Sequence, residues 1–260
     1  MSFQKKNQIT QISKFCADKH VVFLEAIEGK VPGNSSIKYK RVPIGTVYDD
    51  GTTGDLIIKL PKDSFSFGIS ASHLSGGTQP DSYSFPISLY DNNQVRPDQQ
   101  QIVDLIRDVM EASKAHLVKN GPALFGKKVS AEYVGEIMSS PLYGKKIKIE
   151  DKGVTTFVAN PDAIEKTLYS QLIWAKSSNV FYSKFYDATK PSVELNPMDL
   201  IGVRGITTAL IKIESIFIRD KTVKLCVKLY ECLFKPQLLQ NERLLVNEDE
   251  DQQDHDSLLF

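Results

Sequence analysis

The sequence predicts a mixed α+β fold, mostly β, with two inserted helices and a long carboxy-terminal β-hairpin. Period-two alternation of apolar and polar residues recurs along most of the chain, the spacing of half-buried strands. Only two segments space apolar residues three and four apart, as a helix stripe requires. A chain of 260 residues with 41% hydrophobic content can bury a sizeable core within one elaborated domain.

Taken in order, Ile37 and Tyr39 alternate with Lys38 and Lys40, and Leu56 to Leu60 forms a more continuous apolar run ending at Pro61. Phe65, Phe67 and Ile69 alternate with Ser64, Ser66, Gly68 and Ser70, so the two phenylalanines are expected inside. After a Ser75-Gly76-Gly77 break, Tyr83, Phe85, Ile87 and Leu89 alternate with Ser84, Pro86 and Ser88. Pro86 lacks an N–H for a ladder and predicts an edge position. The first helix is expected from Arg96 to Lys119: Pro97 and Asp98 suit a first turn, Ile102, Leu105, Ile106 and Val109 form one stripe, and Asn120-Gly121-Pro122 stops it. A second is expected from Asn160-Pro161-Asp162 to Trp174, with Ile164, Leu168 and Leu172 four apart and Trp174, the only tryptophan, buried at its end. The hairpin passes through Ala209, Ile211, Ile213, Ile216 and Ile218 and turns at Arg219-Asp220-Lys221. It returns through Val223, Leu225, Val227 and Leu229, with Lys224 and Lys228 outward.

Zero net charge conceals an uneven distribution. Asn247 to Phe260 holds six acids and no Lys or Arg, so residues 1–246 carry an excess of six positive charges. A run this polar cannot bury enough apolar surface to order itself, which predicts a domain over 1–239 and a disordered acidic tail over 240–260. Leu258, Leu259 and Phe260 close that tail with apolar side chains that solubility does not require. With Asp254 and Asp256 they are expected to bind a partner. Three cysteines, Cys16, Cys226 and Cys232, imply no disulfide framework and fit a reducing, intracellular setting. No apolar run approaches membrane-spanning length, and the amino terminus lacks the apolar core of a signal peptide.

Catalytic motifs are absent, and no metal or cofactor is expected. Leu74-Ser75-Gly76-Gly77 has no phosphate-binding GxxxxGK[ST] run to accompany it, and the four histidines stand far apart. Cys226 and Cys232 lack zinc-like spacing and share parity with outward positions of one strand. No nucleophile has an evident base, so an enzyme is not expected.

Binding of unpaired nucleic acid instead asks for Lys and Arg along a backbone path and aromatic rings that stack on bases. The segment Val180 to Tyr186, as one strand, would set Tyr182, Lys184 and Tyr186 on an outer face and turn Phe181 and Phe185 to the core. Tyr143 precedes Lys145, Lys146 and Lys148, where a strand would bury Ile147 and Ile149 and present Lys146 and Lys148. Lys38, Lys40 and Arg41 surround Tyr39, and Arg204 adds a cation ahead of the hairpin. A sequence-reading helix or zinc module for duplex DNA is not evident.

The stretch Asn196-Pro197-Met198-Asp199-Leu200-Ile201-Gly202, followed by the hairpin from Ile206 to Phe234, resembles the carboxy-terminal half of single-stranded DNA-binding proteins of large nucleocytoplasmic DNA viruses. The acidic tail ending in Phe260 is similar to the tails of bacterial and phage single-stranded DNA-binding proteins. The first resemblance covers about Ser139 to Pro236. Together they imply an elaborated OB-fold-like barrel that protects single-stranded DNA, or RNA, in viral replication, recombination and repair, without a cofactor. They also imply a tail that competes with DNA and whose terminal aromatic docks onto a polymerase or helicase-primase, and a location in a cytoplasmic virus factory or the nucleus; the sequence allows a homo-oligomer and does not fix the oligomeric state. A protein–protein scaffold made soluble by its acidic tail is the alternative.

Overall fold

A computed structural model describes residues 8–237 apart from 32–33, 74–79, 93, 152–153 and 161. The first wall is built by a short helix α1 (Ala17–His20) and strands β1 (Val21–Phe23), β2 (Ile27–Val31), β3 (Asn34–Val47) and β4 (Thr53–Lys59). The serine- and phenylalanine-rich segment supplies β5 (Ser64–Ser66), β6 (Ser70–Ser72) and β7 (Ser82–Ser88). Helix α2 (Pro97–Lys119) follows, with Pro97 at its first turn and the Gln99 side chain accepting from the Arg96 backbone N–H at 2.9 Å. Its predicted stripe, Ile102, Leu105, Ile106 and Val109, is buried in the common core. Two short helices, α3 (Gly121–Phe125) and α4 (Ala131–Ile137), lead to β8 (Met138–Ser139), β9 (Leu142–Gly144), β10 (Lys146–Asp151) and β11 (Val154–Ala159). Then come β12 (Lys166–Leu172), β13 (Trp174–Ala175), β14 (Val180–Phe181), β15 (Lys184–Asp187) and β16 (Glu194–Leu195). The predicted hairpin is β17 (Gly205–Arg219) with β18 (Thr222–Pro236).

Five strands close a barrel of OB-fold-like form. β5 pairs with β7, β7 with β12, β12 with β18, β18 with β17, and β17 returns to β5. Every pairing is antiparallel except β12 with β18. Closure leaves these five strands no open edge against one another. Phe85 sits inside, its ring 5.3 Å from Phe185 and 5.9 Å from Phe234, both edge-on. β3 and β4 extend the wall beside β17, and β15 with β16 extends it beside β18.

Two bulges set which side chains face inward. Ile213 pairs with Val227 and Ser215 with Cys226, leaving Glu214 as an extra residue; Leu210 pairs with Glu231 and Ile211 with Leu229, leaving Tyr230 extra. An extra residue reverses the facing parity beyond it. Ala209, Ile211 and Ile213 therefore give way to Ile216 and Ile218 on one arm, and Leu225, Val227 and Leu229 give way to Cys232 and Phe234 on the other. Cys232, expected to point outward with Cys226, is buried instead, and burial pushes its thiol pKa up.

Other expectations are corrected. The segment expected as a second helix is strand β12, ending near Trp174 in the small β13–β14 arm. A spacing of four is also twice two, so Leu168 and Leu172 face one side of a strand as well as one side of a helix. Ile164 falls before the strand and is 66% exposed. Trp174 is half-buried against Tyr83, 4.9 Å away and edge-on, with its ring N–H donating to Asn179 Oδ1 at 3.1 Å. In β5 the facing is inverted: Ser64 and Ser66 are buried, their hydroxyls donating to the Pro61 and Pro86 carbonyls, while Phe67 is 39% exposed. Gly68, at φ +81°, then turns Ile69 inward, and a Cβ there would meet the Val203 carbonyl oxygen at 2.2 Å. Pro86 lies in an internal strand rather than at an edge. Its carbonyl accepts from the Phe67 N–H, so its nitrogen faces the gap between β5 and β6 where no ladder hydrogen bond is lost.

Candidate nucleic-acid interface

On the outer face of β12, Tyr169 and Gln171 alternate with the inward Leu168, Ser170 and Leu172. Tyr143 on β9 pairs with Thr167, two residues from Tyr169, which makes the two tyrosines diagonal neighbours. Their rings stand 4.9 Å apart at 67°. This pair borders two adjoining clefts. One, of about 580 Å³, runs over Pro86 and Thr167 and is edged by Phe67, Tyr90, Lys145 and Lys146. The other, of about 220 Å³, carries the hydroxyls of Ser72, Ser82, Ser84, Ser139 and Ser140 with Gln171 and Lys224. The larger falls within the roughly 300–1,000 Å³ of typical ligand sites.

The electrostatics are one-sided. Neither lining includes an Asp or Glu. The Lys145 ammonium lies 6.0 Å from the Tyr90 ring centre, within cation–π range. Lys146 and Lys224 are exposed, and Lys228 donates to Gln171 Oε1 at 2.9 Å. Two further clefts differ, one lined by Asp49 and Asp50 and another by Glu28 and Asp220. Four aromatic rings, several hydroxyls and lysines without lining carboxylates form a surface suited to a polyanion with stacking bases.

The predicted residues divide among several places. Tyr143, Lys145 and Lys146 belong to the groove. Lys148 lies beyond it on the β10–β11 ribbon, beside Glu150, and Ile147 and Ile149 of that ribbon are exposed rather than buried. Lys38 and Lys40 line the cleft that holds Glu28 and Asp220; Lys40 donates to the Ala123 carbonyl at 2.7 Å and lies 3.3 Å from Glu28. Arg41 is 3.5 Å from Glu214. The expected strand Val180 to Tyr186 is interrupted at Tyr182 and Ser183, because buried Ser183 accepts from the Ile173 N–H at 2.8 Å and donates to the Leu229 carbonyl at 2.6 Å. Tyr182 is exposed, and Lys184 is held at 2.5 Å by Glu194, which raises the pKa of Lys184. Phe185 is buried and Phe181 half-buried, as expected. Arg204 is exposed, its carbonyl accepting from the Gln237 N–H. The tail residues Asp254, Asp256, Leu258, Leu259 and Phe260 lie outside the described residues, as does Ser75-Gly76-Gly77.

Sequence reasoning missed Phe67, Tyr90, Tyr169 and Gln171, and placed Lys224 outward on the hairpin without joining it to the other candidate residues. Tyr169 and Gln171 were hidden by the helix reading, and Phe67 by the inverted facing of β5. Among the described residues no three His, Cys, Asp or Glu side chains gather as a metal site, and no helix is long and apolar enough to cross a membrane. A family model described as "Protein of unknown function (DUF2738)" matches residues 8–255. No curated protein matches the chain.

Proposed function

The chain belongs to the DUF2738 family, and because that description carries no activity, we propose from the groove itself that the protein binds single-stranded nucleic acid and performs no covalent step on it. One observation carries the reading. The acid-free aromatic groove lies over β7 and β12, the second and third strands of the barrel in chain order, the face on which OB-fold barrels bind oligonucleotides. Bases would stack on Tyr143, Tyr169, Phe67 or Tyr90 while Lys145, Lys146 and Lys224 meet phosphates. Work in DNA replication, recombination or repair, a viral setting and docking of replication proteins through the tail form the wider version of the same proposal. They rest on the sequence resemblance alone.

The test is fluorescence anisotropy with oligo(dT), the matching RNA and a duplex, each over a range of salt. Preference for the single strands is expected, with log K falling by about 0.7 per neutralised phosphate for each unit of log salt. Absence of salt-dependent binding would sink the reading and favour the scaffold alternative.

A further inference from the structure

Strand register sets a polar row across the sheet beside Tyr169. Ser70 of β6 pairs with Ser84 of β7, Ser84 with Gln171 of β12, and Gln171 with Lys228 of β18. Gln171 lies two residues from Tyr169 on the same outer face, about 7 Å along the strand, within reach of the edge of a base stacked on that ring. An ammonium only donates, so the Gln171 amide atom 2.9 Å from the Lys228 Nζ is the oxygen. The amide NH2, which has no partner among the described residues, is the half left for a ligand. Lys224 adds a second fixed donor to the smaller cleft, the lining includes no Asp or Glu, and the Ser82 and Ser84 hydroxyls take either role.

We propose that this cleft reads the exocyclic group of a stacked base and selects keto bases (thymine, uracil, guanine) over amino bases (adenine, cytosine), with Gln171 as the reading residue and Lys228 as the residue that positions it. The proposal rests on the groove reading above. A free glutamine amide suits adenine, whose N7 and N6 amino group ask for a donor and an acceptor side by side. With its oxygen held by Lys228, Gln171 keeps only the donor. It gives a hydrogen bond to a keto oxygen and opposes its N–H to an amino group. The amino group of cytosine is read by a carboxylate, which the lining lacks. A preference set by stacking and strand flexibility alone does not depend on which way an amide points.

Fluorescence anisotropy on the full chain, in lithium salt to suppress guanine quartets, compares equal-length strands of repeated TG, keto bases only, and repeated CA, amino bases only. Both repeats alternate purine with pyrimidine, and neither pairs with itself. The wild type is expected to bind the TG repeat about fivefold or more tightly, the net worth of a single hydrogen bond. Gln171→Glu, which presents only acceptors, should bring the ratio to one or invert it. Lys228→Met, which keeps the apolar stem and frees the amide to rotate, should bring the ratio to within about twofold of one. A merely structural role for Lys228 would lower both affinities together and leave their ratio in place. Thermal unfolding checks both variants; should either misfold, Gln171→Met or Lys228→Ala takes its place with the same outcome required. Equal affinity of the wild type for the two repeats overturns the proposal, as does a preference that survives substitution at either position. A wild type that binds neither repeat overturns the groove reading itself, an outcome distinct from a groove that binds both alike.

Discussion

At the scale of single residues, the proposed groove depends most on Tyr143 and Tyr169. Both rings reach solvent and face each other edge-on across the border of two clefts. Removing either ring is expected to weaken oligo(dT) binding by about 1–3 kcal/mol, with thermal unfolding nearly unchanged. Equal affinity in a folded Tyr143→Ala/Tyr169→Ala protein would remove the pair from the interface. The lysines separate by their surroundings. Lys146 and Lys224 border acid-free clefts, so Lys146→Ala and Lys224→Ala should each flatten the salt dependence of log K by about 0.7. Lys184 is occupied by Glu194, and Lys184→Ala should leave that slope unchanged. Three slopes measured side by side decide whether carboxylate-free surroundings mark the contact residues.

At the scale of elements, α2 docks partly through an imidazole. His116 stacks on Phe23 of β1, with ring centres 4.3 Å apart, and burial, with the nearby Lys119 charge, lowers its pKa from 6.5. The folded protein thus favours neutral His116 while the unfolded chain protonates near the ordinary value. Its contribution to stability is present above pH 6.5 and is lost as pH falls through the depressed folded value. Urea unfolding between pH 7.5 and 5 should show this decline in wild type and a smaller one in His116→Phe, which keeps an aromatic ring and cannot titrate. Identical declines would exclude His116 as the source. Elements differ in how plainly the sequence displays them. α2 was legible because Ile102, Leu105, Ile106 and Val109 mix spacings of three and four, which no strand accommodates. β12 was not, since Ile164, Leu168 and Leu172 use only multiples of two. The bulge at Glu214 left a visible trace in the step from odd to even apolar positions after Ile213, whereas the one at Tyr230 was masked by reading Cys232 on the parity of Cys226. Of the groove, the β9–β10 contribution was readable from Tyr143 and its following lysines. The β5 and β12 contributions depended on facing that only the closed barrel determines.

At the scale of the whole molecule, charge is divided between a body with six excess positive charges and a terminal segment with six acids. If the proposed groove and the tail compete, deleting Asn247 to Phe260 should raise affinity for single strands, most at low salt, with the gain fading as screening grows. Deleting Phe260 alone should leave that affinity nearly constant. A truncated chain that binds no better at low salt would leave the acids as a solubility device. The barrel's closure carries a different consequence, one of timing. Its only parallel seam joins Gln171 and Leu172 to Lys228 and Leu229, and β5 meets β17 across an even longer stretch of chain. The β17–β18 hairpin can form locally, but the ring has no partial solution without it, because β18 and β17 are its fourth and fifth walls. During synthesis, Phe85, Leu168 and Leu172 must therefore wait for a strand more than fifty residues downstream before they are enclosed. Ribosome-bound chains ending at Leu200 should remain open to protease and those carrying the hairpin clear of the exit tunnel should resist it; early resistance would mean that the first half of the barrel holds together by itself. A chain that completes its core last depends, while it is being made, on whatever shelters its unfinished walls.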